Sequence, residues 1–134
     1  MNPRVRAAIC LIWRDGRLLV QRRPEHVFLG GMREFPGGKI EPGETPAECA
    51  VREAREEAGL LVELTGRREA LAYDYPDRRV TLYPFDARIV GGQPSPEARW
   101  MAPGEMRDAD FPPATSPLLR RLRQEASARG CGRG

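Results

Sequence analysis

Apolar and polar positions alternate from the start of the chain. Val5, Ala7, Ile9, Leu11 and Trp13 fall on one side of an extended backbone and predict a strand with one strongly buried face. Asp15-Gly16 interrupts the run and Leu18 to Arg22 resumes it, which predicts a β-hairpin. Residues 24–33 show no period and read as a loop. Phe35-Pro36-Gly37-Gly38 reads as a tight turn that exposes backbone. Further on, Leu60–Leu64, Ala70–Tyr75 and Val80–Val90 read as strands, with a turn at Pro76-Asp77. Pro84 has no N–H to give a ladder, so it places the last of these at a sheet edge or at a bulge. Gly91 to Pro96 reads as a loop, and Arg99-Trp100-Met101 as a short extended piece.

Two stretches change to a helical period. Thr45 is a good N-cap, Pro46 suits the first helical position, and Glu48 completes a capping box. Gly59 supplies a left-handed stop. Between them Ala47, Ala50, Val51, Ala54 and Ala58 form a small-residue face suited to close packing on a sheet. A second helix starts near Ser116-Pro117, with Leu118, Leu119, Leu122 and Ala126 as its buried stripe. From Ala128 onward nothing remains to bury. The expected organisation is one domain over residues 1–127 and a flexible tail over 128–134. Helices interleaved with short strands predict an α/β (α+β) fold with a mixed sheet.

Composition narrows the class. A chain of 134 residues with 40% hydrophobic content can hold one core without staples. No apolar run nears the ~20 residues of a membrane span, and no secretory signal core is present, so the expected location is the cytoplasm. Net charge is +3 with the signs mixed, too weak to argue for direct nucleic-acid binding. Cys10, Cys49 and Cys131 are odd in number without metal-like spacing and read as free thiols. A single histidine, His26, excludes a multi-histidine metal site. Of 22 basic residues only Lys39 is not arginine. That bias has two readings: a GC-rich coding sequence, or guanidinium forks matched to phosphate.

The candidate chemistry is a carboxylate cluster. Seven of the 19 acids lie between residues 34 and 57. Glu53, Glu56 and Glu57 stand three and four apart, so one helical face presents all three. Such a run is either a solvated face or a ligand set. The acids stack without alternating bases, and a Gly-Gly step precedes the helix. Clustered carboxylates suit a hard divalent cation such as Mg²⁺. Gly37 and Gly38 let backbone approach a metal or phosphate with no side chain between.

These residues resemble the Nudix box. Gly38, five residues, Glu44, seven residues, then Arg52-Glu53-Ala54-Arg55-Glu56-Glu57-Ala58-Gly59-Leu60 match its seven fixed positions. A chance match at a given start is on the order of one in 10⁸. Ala54 departs from the usual bulky aliphatic, which reads as a packing change. Glu34 to Glu41, Tyr75-Pro76-Asp77-Arg78 and Asp110-Phe111-Pro112-Pro113-Ala114 further resemble the MutT branch, the 8-oxo-dGTP diphosphatases. The resemblance covers nearly the whole chain and implies a Nudix-type α/β/α sandwich around a central mixed sheet.

The resemblance also implies roles. Glu53, Glu56 and Glu57, with the Gly37 carbonyl, Glu44 and a loop glutamate, would hold Mg²⁺, with Mn²⁺ as a substitute. Arg52 would orient the catalytic glutamates. Glu97 is the candidate loop glutamate and Glu105 the alternative. Arg23 would contact phosphates from a nucleoside triphosphate, and Glu34, Phe35, Tyr75, Asp77 and Arg78 would frame base and sugar. Phe35 and Tyr75 read equally as core aromatics, and Lys39 as a surface residue or a phosphate attractor. The MutT branch has Asn after Asp-Phe-Pro-Pro-Ala, whereas this chain has Thr115, which cannot present a fixed donor and acceptor together. The implied activity is hydrolysis of a nucleoside triphosphate to monophosphate and pyrophosphate by a monomer or homodimer. A cytidine-type or relaxed triphosphatase and a non-catalytic nucleotide sensor are the alternatives.

Overall fold

The first alternation becomes β1 (Arg4–Arg14) and β2 (Arg17–Arg22), joined as the predicted hairpin. Asp15 and Gly16 both take left-handed φ, 51° and 76°, as a two-residue primed turn requires. The computed structural model describes residues 2–96 and 98–132. After β2 the chain forms β3 (Arg33–Glu34), β4 (Gly37–Lys39), α1 (Pro46–Ala58), β5 (Leu60–Arg67), β6 (Leu71–Tyr75), β7 (Arg78–Gly92), β8 (Arg99–Met101) and α2 (Ser116–Gly132). Three short 3₁₀ turns lie between β8 and α2.

The sheet runs β3-β2-β1-β7-β5, with β4 on β1, β6 on β7 and β8 on β2. β1 and β7 are parallel, from Arg4 opposite Arg79 to Trp13 opposite Arg88, and the other pairings are antiparallel. The sheet is therefore mixed. Alternation along β1 splits the core between two faces. Ala8, Cys10 and Ile12 pack with Cys49, Ala50 and Ala54 of α1. Leu11 packs with Leu18, Val20 and, from α2, Leu118, Leu119 and Leu122. A helix on each face completes the α/β/α sandwich. Ala54 is fully buried in the first cluster, so a bulky aliphatic there would overpack by roughly 1–3 kcal/mol unless the helix moved off the sheet.

Three segments differ in detail from their sequence patterns. Pro84 lies on β7 in the middle of the sheet, opposite Ile9 of β1. It is tolerated because β7 changes partner there, from β6 up to Leu82 to β5 from Phe85 onward, so no ladder bond is lost on that side. The strand does carry an irregularity, as expected, though not at Pro84: pairing with β5 shifts register between Leu61 and Val62, where β7 passes from Gly91 to Ile89, and again between Leu64 and Gly66. The Phe35–Gly38 segment is no tight turn. Phe35 and Pro36 are buried, and Gly37 and Gly38 lie extended in β4 opposite Ile9 and Ala8. Finally, the helix continues past Ala128 to Gly132, and the Arg129 guanidinium sits over the Trp13 ring at 5.8 Å. A cation–π contact on the flank thus takes the place of apolar burial.

Candidate active site

The position of α1 is set at both ends. Thr45 Oγ1 accepts from the Glu48 N–H at 3.1 Å, and the Glu48 carboxylate accepts from the Thr45 N–H at 2.8 Å. Gly59 closes the helix at φ 68°. Between these caps, the small face against the sheet forces Arg52, Glu53, Glu56 and Glu57 to the opposite flank, beside β4.

Arg52 organises that flank. Its Nε and Nη2 donate to the two Glu44 oxygens at 2.6 and 3.0 Å. Nη1 donates to Glu53 Oε1 at 2.7 Å and Glu56 Oε2 at 3.0 Å, and Nη2 also reaches the Lys39 carbonyl at 3.2 Å. One guanidinium fork thus holds three carboxylates that would otherwise repel one another. Hydrogen bonds from Arg52 drive the Glu44 carboxyl down to about 2. Glu44 is accordingly a firm anchor for Arg52.

The remaining carboxyls respond to their surroundings differently. Desolvation raises Glu53 above the ordinary range; Arg52 opposes the rise, and Glu56 and Glu44 add to it. Glu57 is an exposed residue, yet desolvation around its carboxyl lifts it to about 7 against the pull of the Gly37 N–H, which donates to Oε1 at 2.8 Å. Glu34 and Glu53 add to that rise, while a Gln21 hydrogen bond lowers it. Gly38 is required here. A Cβ on it would lie 2.6 Å from Glu53 Cδ and 2.7 and 2.8 Å from its oxygens.

Among the described residues no three His, Cys, Asp or Glu side chains converge as a ready-made metal cluster. The donor chemistry nonetheless fits a divalent cation. Glu53 and Glu57 are oxygen donors whose charged forms are disfavoured by desolvation and mutual repulsion, and both lie against backbone without a Cβ. A hard cation would relieve that cost.

Beside the carboxylates lies a cavity of about 260 Å³. Gly37, Gly38 and Lys39 belong to its wall, so the cavity and the carboxylate flank meet at β4. Val5, Ile9 and Leu82 supply apolar surface, and Arg23, Glu34 and Thr115 supply polar groups. Arg23 donates to Glu34 Oε2 at 2.7 Å and to the Phe28 carbonyl at 3.0 Å. Burial raises the Glu34 carboxyl, with Arg23 opposing. Phe35 is a buried aromatic 5.5 Å from Phe111 that also lines the cavity. Tyr75 likewise lines the cavity while its hydroxyl accepts the Ala114 N–H at 3.0 Å.

Not every candidate arrives there. Asp77 lies outside the cavity wall and accepts from its neighbour Arg78 at 3.1 and 3.3 Å. Glu105 caps its own turn, accepting from the Ala102 N–H at 2.9 Å. Glu97 lies outside the described residues. Conversely, Phe28 escaped the sequence reading. Its ring stands edge-on to Tyr75 at 5.1 Å and beneath the Arg78 guanidinium at 3.8 Å, forming one wall of the cavity. A lone aromatic in an aperiodic loop was the only signal available.

Known proteins resemble this chain in sequence and fold. The NUDIX domain profile matches residues 8–121. An 8-oxo-dGTP diphosphatase of Escherichia coli K12 is 34% identical over 114 residues, spanning 82% of this chain and 88% of that one. A CTP pyrophosphohydrolase of the same organism is 32% identical over 127 residues, 86% and 88% of the two chains. The crystal structure of a MutT protein from Methanosarcina mazei Go1 superposes with a TM-score of 0.78 at 24% identity, covering 93% of this chain and 96% of that one, which speaks to the fold alone. The box on α1, the sandwich that presents it and these likenesses agree: the chain belongs to the Nudix hydrolase family, as a MutT-like hydrolase of phosphoric anhydride bonds.

Proposed function

We propose that the protein hydrolyses nucleoside triphosphates to monophosphate and pyrophosphate with Mg²⁺, or Mn²⁺ in its place, and that 8-oxo-dGTP is its first substrate. The observation that carries this reading is the junction at Gly37-Gly38, where a cavity of base-binding size meets a desolvated carboxylate flank. A base held in the cavity would direct its phosphates along β4 toward Glu53, Glu56 and Glu57.

When bound, the divalent ion supplies Lewis-acid neutralisation of the triphosphate charge. The protein does the rest. Glu53, Glu56 and Glu57 would hold the ion, with the Gly37 carbonyl and Glu97 as further ligands, and Glu97 would also serve as base for the attacking water. Arg52 keeps Glu53 and Glu56 oriented through the bonds at 2.7 and 3.0 Å, with Glu44 as its anchor. Arg23 and Lys39 draw the phosphates, and Arg23 must loosen its hold on Glu34 to do so. Phe35, Tyr75 and Phe28 enclose the base, Arg78 covers it from above Phe28, and Thr115 meets its polar edge. Asp77 acts by holding Arg78. The same reading takes residues 1–127 as the working domain, in a cytoplasmic monomer or homodimer that takes free nucleotides without binding nucleic acid.

Pyrophosphate release from 8-oxo-dGTP should require Mg²⁺ and fall by orders of magnitude in Glu53→Gln; full rate in that variant would overturn the assignment. A second reading, a cytidine-type or relaxed triphosphatase, is favoured by Thr115 and by the CTP pyrophosphohydrolase relative. Comparing kcat/KM for 8-oxo-dGTP, dGTP, dCTP and CTP separates the two.

A further inference from the structure

Two cavities flank the loop between β2 and β3, and only one meets the carboxylates. The other encloses about 470 Å³, and Arg22, Arg33 and Arg99 line it with Asp110. Strand register brings these arginines together. Arg22 stands directly opposite Arg33, and Arg99 opposite Val20, two residues along β2 from Arg22. Side chains two apart share a face. All three therefore lie on the face of Val20, which is buried with Leu118 and Leu122 of α2. Gln21 and Glu34 form the neighbouring cross-strand pair; Gln21 also borders the cleft, and Glu34 lines the other cavity.

This arrangement works against folding. Like charges directly opposite on adjacent strands are destabilising. Among the described residues Arg22 has one ion pair, to Glu25 at 2.8 Å, with both side chains more than 70% exposed. Such a pair contributes little. Among the described residues Arg33 and Arg99 have no ion pair, and Asp110 is the single carboxylate in the cavity wall. Among the described residues three guanidinium forks meet two carboxylates, Asp110 in the wall and the exposed Glu25, and so present more donors than those acceptors use, and phosphate oxygens match that fork.

We propose that this cleft is a second phosphate-anion site, separate from the nucleotide pocket, that takes a multiply charged phosphate. No residue lines both cavities, yet they share a wall. The Arg23 N–H donates to the Met32 carbonyl at 2.7 Å and the Gly31 N–H to the Arg23 carbonyl at 3.0 Å. Met32 and Gly31 line the cleft, while Arg23 lines the nucleotide pocket. An anion held by Arg22 and Arg33 thus sits one peptide from a residue of the nucleotide pocket, and its binding would be felt there. The anion is either free pyrophosphate or the phosphate end of a nucleotide.

The test is a titration of the full-length protein with inorganic pyrophosphate, in EDTA and at constant ionic strength, followed by amide chemical shifts and calorimetry. EDTA leaves the carboxylate flank repelling anions. We expect saturation at one equivalent, with the Gly31, Arg33 and Ala109 amides moving first. The double variant Arg33→Gln/Arg99→Gln should bind about tenfold or more weakly and melt no lower than the parent, because a repulsion has been removed. Should the double variant not fold, the single Arg99→Gln variant is titrated, with about threefold weaker binding expected. A parallel titration with AMP distinguishes the sources: tighter binding of AMP assigns a nucleotide, tighter binding of pyrophosphate assigns the free anion. Unsaturable binding, shifts confined to Gly37 and Gly38, or unchanged affinity in the variants would overturn the proposal.

Discussion

Gly37 and Gly38 are adjacent, yet an added methyl group should act on them in opposite ways. At Gly38 a Cβ would lie 2.6 Å from Glu53 Cδ, the end of a side chain. Ordinary contact begins near 3.4 Å, so the carboxyl must retreat by about 0.8 Å. That retreat breaks the 2.7 Å bond from Arg52 and moves an oxygen of a proposed metal ligand. Displacements near 1 Å cost about 10²-fold in rate. The fold should hardly notice, because Glu53 can swing toward solvent. At Gly37 the Cβ would lie 2.4 Å from the Ala8 carbonyl and 3.0 Å from Ile9 Cα, both backbone of the central strand. Neither can yield without spreading β4 from β1, at a cost of about 2–4 kcal/mol. For a chain of this length that is a fall in Tm of roughly 10 °C. Thermal melting and pyrophosphate release, measured on Gly37→Ala and Gly38→Ala side by side, make the comparison. A Gly38→Ala enzyme within twofold of the parent rate, or one that melts as low as Gly37→Ala, would refute the reasoning.

Three further outcomes follow from the same geometry. Arg52→Lys retains the charge but not the fork, so it cannot hold Glu44, Glu53 and Glu56 together; kcat should fall about 10–100-fold with little change in melting. Glu57 gives a pH dependence. Its folded value near 7 is raised, so the metal-free protein carries no cost from it below about 4.5, loses stability as pH rises from there to 7, and bears the full cost above. Metal needs the carboxylate, so the gain in Tm on adding Mg²⁺ should be larger at pH 8 than at pH 6, and Glu57→Gln should flatten the difference; equal gains would refute it. Glu44, held near 2, contributes in the opposite sense, and its contribution is lost only as pH falls below about 4.5 toward 2. Thr115→Asn restores a donor and acceptor at the pocket edge and should raise the kcat/KM ratio of 8-oxo-dGTP to dGTP; an unchanged ratio would remove Thr115 from base recognition.

The parts legible in the sequence are those governed by local spacing. The capping box at Thr45 and Glu48, the stop at Gly59 and the face carrying Arg52, Glu53, Glu56 and Glu57 follow from helical geometry over one short segment, and the structure has them as read. The hairpin at Asp15-Gly16 follows from two residues that accept left-handed φ. Long-range partners were not legible. Pro84 pointed to an edge or a bulge because its missing N–H is a local fact, whereas the change of partner that accommodates it depends on where β5 and β6 end. Phe28 carried no periodic signal, since its place beneath Arg78 is set by a loop and a strand fifty residues apart.

The sequence by itself determined the family, the carboxylate-bearing helix and the count of carboxylates on its face, because a helix converts spacing directly into direction. Only the tertiary structure decided what those carboxylates meet. Gly38 leaves room for Glu53, and the Gly37 N–H reaches Glu57, because β4 lies extended on β1 and not in the turn its composition suggested. The same pairing of distant strands put Arg23 and Glu34 in the cavity beside β4 and Arg22 and Arg33 in the cleft beyond it. Neighbours in sequence fall on opposite faces of a strand, and which face holds which site depends on what packs against the sheet.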